Sequence, residues 1–191
     1  MIERSDTLNN QAIILASDGA YTEAIACFKR AIVIDKGNYL LWYNLGVTYR
    51  DAGKLTDSEN ALETAYHIAP EKEDVAETFA TICLMQKKFL KVQQICMEAL
   101  DFNPLNPHMW NLLGVSEFQN ENYEEACSYF EQAVSINPYY TDALYNLRDT
   151  YSVLNNKKGE AACEARLKEL EKSGGFDFGG KMPLPKTQIK A

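Results

Sequence analysis

Two short stretches, WYNLG at residues 42–46 and WNLLG at residues 110–114, have the same first, fourth and fifth residues. Their tryptophans, Trp42 and Trp110, differ in number by twice 34. Shifting the whole sequence by a period of 34 aligns further columns in four successive segments. One column holds alanine four times and another holds proline three times: Ala31, Ala65, Ala99 and Ala133, and Pro70, Pro104 and Pro138. Several columns that agree over four segments indicate an internal repeat of about 34 residues.

Residues 107–140 indicate what one repeat encodes. Its first half carries large and small residues at the spacing of one face of a helix that turns every ~3.6 residues. These residues are Trp110, Leu113, Gly114 and Glu117. The polar segment QNEN at 119–122 interrupts the pattern, and a second helical stripe follows. Asn137-Pro138 ends that stripe, because proline disfavours helix in the preceding residue and lacks an N–H donor. Each repeat is therefore predicted to be two antiparallel helices.

The sequence is similar to the tetratricopeptide repeat family, whose pattern is W-x2-L-G-x2-Y … A-x3-F-x2-A … P in about 34 residues. In the second unit the positions of this pattern hold Trp42, Leu45, Gly46, Tyr49, Ser58, Leu62, Ala65 and Pro70. In the fourth unit they hold Trp110, Leu113, Gly114, Glu117, Ala126, Phe130, Ala133 and Pro138. The third unit departs most, with Ala76, Phe79, Ala80 and Cys83 in its first half.

The resemblance implies an all-α, right-handed α-solenoid of about five helix-turn-helix units. Residues 1–172 are expected to form the array, and the last helix of its fifth unit, rich in charge, is expected to cap it. The unit boundaries are 5–38, 39–72, 73–106, 107–140 and 141–172. Residues 173–191 contain glycine, proline and three lysines and are expected to form an extended basic tail.

The net charge of the chain limits the classes of partner that are expected. The chain has 191 residues and a formal charge of −8. Residues 173–191 hold three lysines and one aspartate, which is +2, so the remainder carries −10. An acidic body repels phosphate backbones, so nucleic-acid binding is not expected.

The expected compartment is the cytoplasm. No apolar run approaches the roughly 18–20 residues that span a bilayer, so no membrane association is expected. The start, MIERSDTLNN, lacks the apolar segment of a secretory signal. The five cysteines are an odd number without close pairs, which favours a reducing compartment.

No group of residues suggests catalysis, a metal or a cofactor. Residues 175–181 match G-x4-G-K, but a phosphate-binding loop needs a preceding strand, a following helix and Ser or Thr after the lysine. Met182 and Pro183 follow instead. His67 and His108 lack the clustered partners of a metal site, and no cysteine has a visible base. The sequence therefore predicts that the protein is not an enzyme.

The resemblance implies that partner contacts come from a concave groove lined by the first helix of each unit. Among the matching positions, the predicted site residues are Asn10, Tyr43, Asn44, Val47, Arg50, Asp74, Glu77, Thr81, Asn111, Val115, Phe118, Tyr145, Asn146 and Asp149. Asparagine recurs at one of these positions, and an amide can bond a peptide backbone without recognising its sequence. Plain inheritance of the repeat explains the recurrence equally well.

A groove that mixes acids with apolar side chains favours an extended peptide that is neutral or basic, although the acids also serve solubility. Chaperone C-terminal tails are disfavoured, because only Asn44 matches the two-carboxylate clamp of some family members and Asp74 repels a carboxylate.

The predicted function is a non-catalytic adaptor or scaffold that binds a peptide or partner protein. One alternative is self-association or autoinhibition through the tail, which offers Phe176, Phe178, Leu184 and its lysines to a groove. A loose terminus is the simpler expectation for the tail. A further alternative is a non-catalytic subunit of an enzyme complex.

Overall fold

The computed structural model describes residues 3–172, which form ten α-helices and no strand. The helices are α1 Ser5–Ser17, α2 Tyr21–Ile34, α3 Tyr39–Asp51, α4 Leu55–Ile68, α5 Glu73–Met85, α6 Phe89–Phe102, α7 Pro107–Gln119, α8 Tyr123–Ile136, α9 Thr141–Val153 and α10 Lys157–Lys172. The predicted tail lies outside the described residues.

The helices form two layers. Each helix packs against its neighbours in the chain, and each odd-numbered helix also packs against the next odd-numbered helix. Among the described residues, no backbone contact joins one even-numbered helix to another. The odd-numbered helices are therefore the inner layer, and the even-numbered helices are the outer layer. This arrangement confirms the predicted all-α solenoid.

The two helices of each pair are joined by a turn of constant geometry. One residue of each turn has a positive φ, between 56° and 78°, and these residues recur with the period of the repeat. They are Gly19, Gly53, Lys87, Glu121 and Asn155. The N–H of the following residue bonds a carbonyl five residues earlier, for example Lys54 to Tyr49 at 2.8 Å. This is the bond of a Schellman helix end, and it satisfies a carbonyl that the helix leaves open.

The small residues of the repeat lie where the two helices of a pair approach closely. A Cβ added to Gly46 would lie 2.6 Å from Leu62 Cγ, and one added to Gly114 would lie 2.5 Å from the Phe130 ring. The two tryptophans hold the turn before their own helix, since Trp42 Nε1 donates to the Lys36 carbonyl at 3.0 Å and Trp110 Nε1 to the Pro104 carbonyl at 2.9 Å.

The two divergent units keep the same architecture by different packing. In α5, Phe79 is buried and packs 5.8 Å from the Tyr66 ring, while Ala80 takes the position of Gly46 and Gly114. In α10 only Cys163 and Leu167 are buried and Leu170 packs partly buried on the same core, while most of its other residues are charged. Such a charged surface suits a helix that closes a stack.

Candidate peptide-binding groove

All fourteen predicted site residues lie on inner helices. Asn10 is on α1; Tyr43, Asn44, Val47 and Arg50 are on α3; Asp74, Glu77 and Thr81 are on α5; Asn111, Val115 and Phe118 are on α7; and Tyr145, Asn146 and Asp149 are on α9. Since consecutive inner helices contact one another, the inner layer brings most of this set onto one surface. Asn111 differs from the rest of the set because it is buried, with only 1% of its surface exposed.

A row of side-chain hydrogen bonds, here called the inner ladder, joins consecutive inner helices. Asn44 Nδ2 donates to Asn9 Oδ1 at 3.0 Å, and Asn146 Nδ2 donates to Asn111 Oδ1 at 2.9 Å. The hydroxyls of Tyr43 and Thr78 lie 3.3 Å apart. The partners in each pair differ in number by 35, so each bond joins one unit to the next.

The inner ladder gives the recurring asparagines a structural role. Asn44 and Asn146 each use one of their two N–H donors on the preceding helix. The Oδ1 atoms of both residues accept no hydrogen bond from the described part of the chain. Each amide is therefore fixed in orientation and still offers one donor and one acceptor.

The inner ladder is interrupted between α5 and α7. Leu112, buried, takes the position of the asparagine. Glu77, which would be its partner, instead has its Oε1 atom 3.7 Å from His108 Nδ1. The His108 ring lies 4.8 Å from the Tyr140 ring, and Asn111 Nδ2 donates to the Tyr140 hydroxyl at 3.4 Å. Burial raises the pKa of Tyr140, and the charges of Asp142 and Glu77 raise it further. This tyrosine is therefore neutral at physiological pH.

Four contributors to this surface lie outside the set of fourteen: Asn9, Thr78 and His108, which occupy groove positions of the repeat, and Tyr140, which occupies none. Alignment at a spacing of 34 compares equivalent positions, whereas the inner ladder joins unlike positions at a spacing of 35. A search for asparagine pairs at that spacing would have found Asn9 with Asn44 and Asn111 with Asn146, together with Asn120 and Asn155, which lie in turns.

Two predicted charged residues already have partners on their own helix. Arg50 Nε lies 2.9 Å from Asp51 Oδ1, and Arg148 Nη2 lies 2.6 Å from Asp149 Oδ1. The Arg148 guanidinium also lies over the Tyr145 ring, 5.1 Å from its centre. Asp149 is thus neutralised locally, and it is a weaker attractant for a basic ligand than the sequence indicates.

The apolar members differ in how much they support the fold. Val115 and Phe118 are half-buried against the core, and Phe118 meets the Tyr123 ring edge-on at 5.2 Å. Tyr43 also packs on the core. Tyr145 is 39% exposed, so it is the aromatic side chain of this set most available to a ligand. Truncation of Phe118 would disturb packing as well as binding.

The buried thiols do not form a reactive site. All five cysteines are free and buried. Burial raises the pKa of Cys83 to about 11 and that of Cys127 to about 12, so both are protonated at neutral pH. A protonated thiol is a poor nucleophile. Across residues 3–172 no group of side chains could hold a metal ion, and no helix is both long and apolar enough to cross a membrane.

Family models describe the same repeat. The model described as TPR repeat matches residues 14–53, and two described as Tetratricopeptide repeat match residues 39–72 and 107–140. The chain is a tetratricopeptide repeat protein. Proteins built from these repeats generally act as protein-interaction scaffolds.

Individual relatives share only part of their length with this tetratricopeptide repeat protein. Cytochrome c-type biogenesis protein CycH from Pseudomonas aeruginosa is 26% identical over 119 residues, which cover 61% of this chain and 29% of CycH. Anaphase-promoting complex subunit 3 from Schizosaccharomyces pombe is 21% identical over 131 residues, which cover 69% of this chain and 20% of that subunit. The chain therefore matches less than a third of either relative.

A solved structure extends the likeness to nearly the whole fold. MamA from Desulfovibrio magneticus RS-1 superposes with a TM-score of 0.77 at 16% identity, over 88% of this chain and 96% of that chain. At this identity the likeness shows the solenoid fold alone.

Proposed function

We propose that this tetratricopeptide repeat protein is a non-catalytic adaptor that binds an extended peptide segment of a partner protein along its inner layer. Residues 1–172 supply the array, and the contact surface runs from α3 to α9. The observation that carries the proposal is the pair of fixed amides. Asn44 and Asn146 are held by Asn9 and Asn111 and each retain a donor and an acceptor, which is what one peptide unit of a ligand requires.

Preorganisation makes these amides effective. A side chain that is already ordered loses less conformational entropy on binding, which otherwise costs ~0.5–1.5 kcal/mol for each immobilised side chain. The inner ladder meets this condition before the ligand arrives. The bonds it offers are to backbone and do not select a sequence.

Selectivity comes from the surrounding side chains. The inner helices α5, α7 and α9 hold six carboxylates against one arginine and one histidine. The exposed ring of Tyr145 offers an apolar and aromatic contact beside Asn146. The surface therefore suits a neutral or basic peptide with an apolar side chain, and it repels the carboxylate terminus that a chaperone tail presents.

The test is selection of peptides from a random library on the full chain, followed by affinity measurement with fluorescent copies of the selected peptides. Tyr145→Ala should weaken binding at least tenfold, which corresponds to ~1.4 kcal/mol and is typical of a central aromatic contact. Tyr139→Ala is the matched control, because Tyr139 is a tyrosine 66% exposed in the turn between α8 and α9. Equal effects of the two substitutions, or no enriched peptide, would reject the groove.

A second candidate is a non-catalytic subunit of a larger assembly, and exposed apolar side chains on the outer layer favour it. These side chains are Leu90, Met97, Phe102 and Leu105, all in α6 or directly after it. One relative carries the name of a complex subunit. A stable partner lost with Leu90→Ser/Phe102→Ser and kept with Tyr145→Ala would support this candidate over the groove.

A further inference from the structure

The chain leaves α10 at the edge where every earlier unit enters the inner layer. The four-residue segments after α2, α4, α6 and α8 each connect an outer helix to the next inner helix. The inner helix α9 begins at Thr141, and the equivalent position one period later is 175. Lys172, the last described residue, therefore lies three positions before the place in the sequence where a sixth inner helix would begin.

The charge of the inner layer is concentrated near this exit. Helices α5, α7 and α9 carry Glu73, Asp74, Glu77, Glu117, Asp142 and Asp149 against Arg148, a formal sum of −5. Helices α1 and α3 carry Asp6 and Asp51 against Arg50, a sum of −1. The end of the array that holds α10 is thus also the end that holds the acidic half of the inner layer.

The sequence after α10 has the chemistry that this surface selects. Residues 173–191 read SGGFDFGGKMPLPKTQIKA, with two phenylalanines and a net charge of +2. Prolines at 183 and 185 oppose helix formation and favour an extended backbone, which exposes its amide groups to a partner. The segment is thus a basic peptide with apolar side chains, of the class inferred for a ligand.

The distances are within reach of the chain. Neighbouring packed helices lie ~8–10 Å apart, so α5 is roughly 20 Å from α9 across the inner layer. An extended chain covers about 3.3–3.6 Å per residue, so six or seven residues span that distance. Phe176 and Phe178 are the fourth and sixth residues after Lys172, and Lys181 is the ninth. Both rings can reach Tyr145, and the lysine can reach the carboxylates of α5.

We propose that residues 173–191 occupy the acidic half of the inner layer of their own chain and compete there with the partner peptide. This inference rests on the proposed function, and it assigns to residues 173–191 the regulation of partner binding. A tethered segment has an effective concentration on the order of 1 mM. If the dissociation constant of the untethered segment is ~100 µM, the partner's apparent affinity falls about elevenfold. The factor is one plus the ratio of the effective concentration to that dissociation constant.

The experiment keeps the full chain and changes only the tail. The probe is a fluorescein-labelled synthetic peptide of residues 173–191, added to the unmodified protein and to Phe176→Ser/Phe178→Ser. The labelled peptide should bind the variant at least fivefold more tightly, because the variant's own segment no longer fills the surface. Tyr145→Ala in the variant background should remove this binding, and Tyr139→Ala should preserve it. Equal affinity for the variant and the unmodified protein would overturn the proposal.

Two further outcomes separate the possible failures. Library-selected peptides that bind while the 173–191 peptide binds neither protein would reject the tail as occupant and leave the proposed function intact. A sedimenting dimer that Phe176→Ser/Phe178→Ser converts to monomer would show occupancy between chains, and would overturn occupancy within one chain. A monomer at all concentrations, with the fivefold gain, is the result the proposal predicts.

Discussion

Asn111 is 1% exposed on the inner layer, accepts a hydrogen bond from Asn146 and donates one to Tyr140. Its environment therefore depends on Asn146 of the next unit and on Tyr140, the last residue of its own unit. The sequence placed Asn111 among groove residues, and the structure locates it on an inner helix but below the surface. At this scale the repeat predicts which positions are small and which are large, as at Gly46 and Gly114. It does not predict which polar side chains meet, because those pairs join unlike positions of neighbouring units.

Gly114→Ala is expected to destabilise the protein by about 1–3 kcal/mol, the usual cost of adding a methyl group to a well-packed core. The new Cβ would lie 2.5 Å from the ring of Phe130, which is itself buried. The measurement is urea unfolding followed by circular dichroism. Gly37→Ala is the control, because nothing lies within 4 Å of a Cβ at Gly37. Equal free energies of unfolding for the two variants would contradict the close approach of α7 and α8.

The turns within the helix pairs are the most regular elements of the chain, although their sequences share little. Gly19 and Gly53 have the conformation that glycine adopts without steric cost, whereas Lys87, Glu121 and Asn155 adopt it with a side chain. The sequence predicted a break at QNEN, residues 119–122, and two helices in every unit. The left-handed residue was not predictable at Lys87 and Glu121, which adopt it against their local preference, whereas asparagine, as at Asn155, tolerates this conformation.

Substitutions at two equivalent turns should have opposite effects on the stability of the protein. Gly53→Ala is expected to cost ~1 kcal/mol, since a left-handed conformation is unfavourable by about that amount for a residue with a Cβ. Lys87→Gly should stabilise by a few tenths of a kcal/mol, because relief of the same strain exceeds the added entropy of the unfolded chain. Thermal unfolding of both variants, side by side, measures the difference. A loss of stability in Lys87→Gly would show that its side chain contributes more than its backbone strain costs.

Side-chain ion pairs connect outer helices whose backbones do not meet. Glu59 of α4 is buried, and it accepts hydrogen bonds from Lys88 Nζ at 2.5 Å, Lys91 Nζ at 3.0 Å and Gln86 Nε2 at 3.0 Å. Burial alone would raise the pKa of Glu59. The hydrogen bonds from Lys88, Lys91 and Gln86 outweigh burial and leave the pKa below its ordinary value of 4.5.

Glu59→Gln should therefore destabilise the protein at neutral pH by about 1–3 kcal/mol, the range for hydrogen bonds to a charged group. A carboxyl group with a lowered folded-state pKa stabilises the fold above its unfolded-state pKa, and this contribution disappears as pH falls through the folded-state pKa. The difference between the two proteins should thus be constant from pH 7 down to about 5 and shrink below pH 4.5. Glu63→Gln is the control, because Glu63 is more exposed and contacts only Lys91 of the same group. A pH-independent difference would contradict the assigned role of the charge.

Stacking between units stabilises the whole array. Helix α1 has no preceding unit among the described residues, and it differs from the other inner helices at the face that they bury. In α3, α5, α7 and α9 the third, seventh and tenth residues are buried against the preceding unit; in α3 they are Leu41, Leu45 and Thr48. The equivalent residues of α1 are Thr7, Gln11 and Ile14, and all three are exposed. The period of 34 predicted the architecture because stacking needs the same residues in every unit. The details of each interface were not predictable, because they depend on side chains from two units together.

Restoring the apolar pattern at this face should create a stacking surface. In Thr7→Leu/Gln11→Leu the two new leucines lie beside Ile14, which is already 63% exposed, and together they reproduce the surface that the other inner helices bury. Because a repeat that cannot bury this face gains free energy from any partner that covers it, the variant should self-associate as its concentration rises. Sedimentation velocity over a ~100-fold range of concentration measures this, since dimer populations follow mass action. Thr22→Leu/Gln132→Leu, with the same leucines at exposed positions of α2 and α8, should stay at the unmodified mass. If both variants associate equally, general hydrophobicity is the cause, and if neither does, the exposed face of α1 lacks the shape that stacking requires.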